Sequence, residues 1–119
     1  MTHEEKKVAK IVEELTMFFF TIGSDDMQSG IKRHGNHVEI TFEANYQPGY
    51  EHQIHSLEKY LNEPKNEGIE DIYWELAGSG DPGETSQLLL IGMMIDKAEI
   101  EKGDLRVKLK LCKELLEEW

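Results

Sequence analysis

Hydrophobic positions along this chain follow two periods, and the switches between them mark out its elements. Across residues 4–22 the apolar residues Val8, Ile11, Val12, Leu15, Phe18, Phe19 and Ile22 recur every three or four positions, with Glu4, Lys6, Lys10 and Glu13 between them. That spacing predicts a long amphipathic helix with one wide buried stripe. Thr2 and Glu5 have the spacing of a capping box, and Gly23 stands where a helix commonly stops. Met17 and Phe20 fall off the stripe, so the second half of this helix is expected to be covered on more than one side.

The period then drops to two. Over residues 37–46, Val38, Ile40, Phe42, Ala44 and Tyr46 alternate with His37, Glu39, Thr41, Glu43 and Asn45, the pattern of a half-buried strand. Gly35 and Asn36 both tolerate positive φ and predict a two-residue primed turn, with Ile31 opposite Ile40 inside and Lys32 opposite Glu39 outside. Gln47, Pro48 and Gly49 break the strand. Tyr50, Ile54, Leu57, Tyr60 and Leu61 then predict a short, half-exposed helix ending by Pro64. A further helical segment is expected over 69–77, followed by a glycine-rich loop over 78–83. The last hairpin is expected over roughly 87–100 and 104–112, turning at Lys102 and Gly103, with Ile100 opposite Leu105, Ala98 opposite Val107 and Glu99 opposite Arg106. The closing KELLEEW is expected to start a short helix or to fray. Together these give the order α-β-β-α-α-β-β in a single domain over 1–119. The fold class is α+β, a two-layer sandwich in which two β-hairpins form one four-stranded sheet with helices on one face.

Residues 88–95, LLLIGMMI, are apolar on both faces if extended. Leu88, Leu90 and Met94 line one face and Leu89, Ile91, Met93 and Ile95 the other. Only one face of a two-layer sandwich meets helices, so the row of Leu89, Ile91, Met93 and Ile95 is expected to be a homodimer interface. The alternative is a central strand whose second row is covered by the alkyl stems of Lys97, Lys108 and Lys110.

Composition narrows the function. The chain of 119 residues holds 13 Lys and Arg against 24 Asp and Glu, a formal net charge of −11. Such a surface repels phosphate backbones and anionic headgroups, which argues against nucleic acid and membrane partners. The acids concentrate in the expected helices and loops, whereas Arg106, Lys108 and Lys110 make the last strand locally basic and suggest which face meets a protein partner. Cys112 is the single cysteine and forms no internal disulfide. With no apolar leader, and with its longest apolar block, 88–95, far short of a span, the sequence predicts a cytoplasmic protein.

The candidate chemistry is incomplete at every position. His34 and His37 flank the first turn, and His52 and His55 share a helix face, but a closed zinc site needs four ligands. The 78–83 loop carries Asp81, has no lysine or arginine and leads into an expected strand, which fits a connection better than a phosphate cradle. No G-x-S-x-G elbow is present, and in a chain with 24 acids the pairs Glu13–Glu14, Asp25–Asp26 and Glu70–Asp71 are expected by chance. No metal or cofactor is therefore expected.

The order of elements, a long first helix with Glu13 and Glu14, a hairpin, helices, an acidic glycine loop and a final hairpin, resembles a reduced histidine-kinase-like ATPase domain. The resemblance implies a degenerate nucleotide-binding domain, with Glu13 or Glu14, Asp81 and Gly83 as remnants of its site. The asparagine expected four residues after the helix glutamate is replaced by Met17 or Phe18, and the D-x-G-x-G box is met in part by Asp81-Pro82-Gly83-Glu84-Thr85. LNEPKNEGIEDIYWELAG followed by LLLIGMMIDKAEI also resembles a family of small uncharacterised bacterial proteins. The residues themselves lead to a homodimeric regulatory or adaptor module that acts by association, without a catalytic centre, and the ATPase resemblance to the alternative.

Overall fold

Thr2 starts the first helix by reciprocal capping. In a computed structural model, which describes residues 2–62, 91–92 and 94–115, its Oγ1 accepts from Glu5 N at 3.1 Å while Glu5 Oε1 accepts from Thr2 N at 2.8 Å. Two of the orphan amides at the helix start are thereby satisfied. Helix α1 runs over His3–Thr21 and buries Val8, Ile11, Leu15, Phe18 and Phe19, the expected stripe. It stops where Gly23 adopts φ +81°, a conformation that costs glycine nothing.

Four antiparallel strands follow: β1 (Met27–His34), β2 (His37–Asn45), β3 (Lys97–Gly103) and β4 (Arg106–Glu114). Their spatial order is β1-β2-β4-β3, so the two hairpins join along β2 and β4. Helix α2 (Glu51–Leu61) connects them from the same side as α1 and contributes Ile54, Leu57 and Leu61 to the core. The described chain is thus the α+β arrangement of two hairpins in one sheet with helices on one side.

The first hairpin has the register its alternation predicts, Ile31 opposite Ile40 and Lys32 opposite Glu39. At its turn only Gly35 takes positive φ, +61°, and Asn36 does not. A glycine at the first central position is all that a type II′ turn requires.

The second hairpin departs from expectation. β3 continues to Gly103, the turn is made by Asp104 and Leu105, and Ile100 pairs with Leu109, Ala98 with Leu111 and Glu99 with Lys110. Each partner is four residues beyond the expected one. An even shift keeps every side chain on its face, and it sets Ile100 and Ala98 beside two fully buried leucines. Leu105 takes φ +55°, unfavourable for a side chain with a Cβ, and its carbonyl accepts from Tyr46 N at 3.1 Å.

A second correction concerns the stretch read as a two-sided strand. Ile91, Gly92 and Met94 are helical, and β3 begins only at Lys97. Gly92 packs so closely on α2 that a Cβ there would overlap the carbonyl oxygen of Tyr60. The closing residues differ as well, since Lys113 and Glu114 end β4 rather than begin a helix, and Leu115 is buried. The expected 69–77 helix and the 78–83 loop lie outside the described residues.

The core lies between α1, α2 and the inner sheet face. Phe19 stacks on Phe42 with centroids 5.4 Å apart and planes 17° apart, and Phe18 meets Phe19 edge-on at 5.2 Å. Val38, Ile40 and Ala44 of β2 and Val107, Leu109 and Leu111 of β4 complete the layer. Edge strand β1 is less covered, because Ile31, on the inner face, is 53% exposed. Phe20 is 62% exposed and Met17 37%, so these two are not covered by a second layer as the sequence suggested. No helix among the described residues is long and apolar enough to cross a membrane.

Candidate association surface

Of the residues expected to form a dimer interface, Ile91 and Ile95 are in this chain's own core, 0% and 1% exposed, while Leu89 and Met93 lie outside the described residues. The physical reason is the helical backbone at Ile91, Gly92 and Met94, which removes the alternation that would have sent Ile91 to an open sheet face. Among the residues singled out by the ATPase resemblance, Glu13 is on the solvent side of α1 and Glu14 is 2% exposed. Glu14 Oε1 lies 2.8 Å from Lys10 Nζ, and Oε2 is buried without a hydrogen-bond partner. Asp81 and Gly83 lie outside the described residues.

The histidines are not gathered into a metal site. His37 Nδ1 lies 2.9 Å from Glu114 Oε1, His34 is its cross-strand neighbour, and His52 and His55 are exposed on α2. Among the described residues no three potential ligands cluster.

A buried ion pair was missed in the sequence. Lys113 occupies an inward position of β4 after Val107, Leu109 and Leu111, and its Nζ donates to the Met94 carbonyl at 2.9 Å. The same Nζ lies 3.2 Å from Glu4 Oε2, off the direction a hydrogen bond needs, while Lys7 Nζ donates to Glu4 Oε1 at 3.3 Å. Burial pushes the Glu4 carboxyl up, but Lys113 and Lys7 together outweigh it and hold Glu4 below its ordinary value. Lys113 therefore ties the first turn of α1 and the helical turn at Met94 to β4. The strict period-two parity of β4 was the signal that could have placed it inside.

The outer sheet face is bare of helices among the described residues, and its charges are ordered by strand. β2 presents Glu39 and Glu43, and β4 presents Arg106, Lys108 and Lys110. β3 presents Lys97, Glu99 and Glu101, and β1 presents Lys32 as its one charged residue on this side. The basic row foreseen on the last strand therefore exists, but an acidic row flanks it on each side. Arg106 Nε donates to Glu43 at 2.7 Å and Nη1 to Asp26 at 3.0 Å, bonds that hold the guanidinium pKa above its ordinary value. Lys110 lies 3.7 Å from Glu39. Lys108, in register with Glu43 on one side and Glu101 on the other, makes no ion pair among the described residues.

This face is balanced in charge, against a net −3 over the other described residues. With Glu114 it carries five cationic and five anionic side chains, a net charge of zero. By sequence, residues 63–90 and 116–119 hold nine acids against Lys65 alone, which accounts for eight of the eleven net negative charges. Two open hollows of about 260 and 270 Å³ dent the face and share Glu43 and Lys108 as a common wall. Both fall below the volume usual for small-molecule pockets. Cys112, half-buried, is on the same face between Glu39 and Lys97. Compared with protein-family models, with curated proteins and with solved structures, the chain matches none.

Proposed function

We propose that this chain acts by association, as a regulatory or adaptor module whose contact surface is the outer face of its sheet. One observation carries the reading: a face that, among the described residues, has no helix over it, zero net charge and no ion pair to Lys108 in its middle, on a chain of net charge −11. Close approach by another protein is repelled over an acidic surface and is neutral here. Ordered opposite charges on a flat strand surface also supply register and selectivity more than raw affinity, which suits a reversible partner. The residues expected to form the interface, Leu89, Ile91, Met93 and Ile95, are replaced in this reading by the charged rows of β2 and β4.

A photoreactive side chain at position 108, expressed in the native cells, tests the surface against one at Lys6 on the exposed side of α1. The expected result is discrete protein adducts from position 108 and none from position 6. Equal adduct formation from both, or none from position 108, contradicts the reading.

A further inference from the structure

Read across the sheet, the outer face carries its charges in stripes. β1 is positive through Lys32, β2 negative through Glu39 and Glu43, β4 positive through Arg106, Lys108 and Lys110, and β3 negative on balance through Glu99 and Glu101. The sequence is plus, minus, plus, minus, and so antisymmetric about the line between β2 and β4. A two-fold axis along that line, parallel to the strands, reverses the order and sets the acidic row of β2 against the basic row of β4 of the second copy; at the edges it brings Lys32 level with Lys97, so the complementarity lies in the two central strands. We infer that the partner of this face is a second copy of the chain, packed sheet on sheet about this axis; the inference rests on the outer face being the contact surface.

The pairing follows position by position, because rotation about an axis parallel to the strands preserves height along them. Lys108 faces Glu43 of the second copy, which gives an ammonium with no ion pair among the described residues a carboxylate, and Lys110 faces Thr41 between the Glu39 and Glu43 side chains. The symmetry makes each contact twice. Aligned sheets pack about 10 Å apart, a gap that a lysine and a glutamate reaching from opposite sides can close. A purely acidic partner fits less well: its charges would meet Lys108 and Lys110 but also the glutamate rows on both sides of β4. Edge-to-edge pairing of two β1 strands would leave the stripes unopposed.

Cys112 supplies a probe that needs no substitution, being the one cysteine of the chain and located on the outer face of β4 beside the proposed axis. With sheets about 10 Å apart and strands about 4.8 Å apart, the two Cys112 Cα atoms come within about 11 Å, the reach of a short bis-maleimide. Purified protein in about 0.15 M salt is expected to give a covalent dimer through Cys112, and in about 1 M salt, where screening reaches within about 3 Å, to give monomer. Two variants complete the test, Lys108→Glu with Lys110→Glu and Glu39→Lys with Glu43→Lys, each with folding checked by circular dichroism. Each alone sets like charges against like and is expected to self-associate about 100-fold more weakly than the parent chain. Mixed in equal amounts, they are expected to recover cross-linking as a heterodimer. A parent chain that gives no cross-link at high concentration, cross-linking that persists in either variant alone, or variants that fold but do not recombine would overturn the second copy as partner. Adducts at position 108 with a different protein would then leave the association reading standing, and their absence would remove both.

Discussion

Three consecutive phenylalanines on α1 allow the packing of the helix to be tested by a contrast between neighbours. Phe19 is 0% exposed and stacks on Phe42, whereas Phe20 is 62% exposed. Phe19→Ala removes a fully buried ring and leaves a cavity between α1 and β2, a change that costs about 3–5 kcal/mol. For a chain of this size about 1 kcal/mol moves the melting temperature by roughly 4 °C, so the expected fall is about 12–20 °C. Phe20→Ala removes little buried surface and puts a better helix former at an exposed site, so its expected effect lies within about 0.5 kcal/mol. Urea and thermal denaturation followed by far-ultraviolet circular dichroism measure both. Equal losses at the two positions, or a larger loss at Phe20, would refute the orientation of α1 and with it the assignment of the outer sheet face as the open one.

Other perturbations reach the remaining joints. Gly92→Ala would stabilise an ordinary helix by about 1 kcal/mol, but here the methyl meets the Tyr60 carbonyl, and a loss of about 1–3 kcal/mol by thermal melting is expected instead. Lys113→Met strips Glu4 of one of its two cations and the Met94 carbonyl of its donor, an expected cost of about 3 kcal/mol; adding Glu4→Gln should restore part of it, so a double-mutant cycle that closes to zero coupling would contradict the pair. Because the folded Glu4 pKa lies below its ordinary 4.5, its contribution is present above that pH and lost as pH falls through the folded value. The stability gap between the parent chain and Glu4→Gln should therefore be widest near neutral pH and narrow in acid, as chemical denaturation across the range would show.

The first helix and hairpin were legible because period, capping and turn chemistry agreed. Thr2 and Glu5, the 37–46 alternation and Gly35 each pointed to the observed structure. The second hairpin slipped because alternation runs on through KAEIEKGDLRVKLKL, and Gly103 is a more conspicuous turn residue than the Asp104–Leu105 pair that makes the turn. Residues 88–95 misled for a different reason: a short apolar run fits a strand or a buried helix equally, and the i, i+3, i+4 spacing of Ile91, Met94 and Ile95 was the discriminating cue. The stripes could not be read from the chain at all. Each row is visible in one strand, but its alternation across strands exists only once β2 is known to pair with β4.

The central claim, that two copies of the chain associate through the outer sheet face, is tested most directly by sedimentation velocity of the unmodified chain from low to high micromolar concentration. In about 0.15 M salt the account predicts a concentration-dependent shift from monomer to dimer, abolished in about 1 M salt. A single monomeric species at every concentration and both salt levels would contradict it.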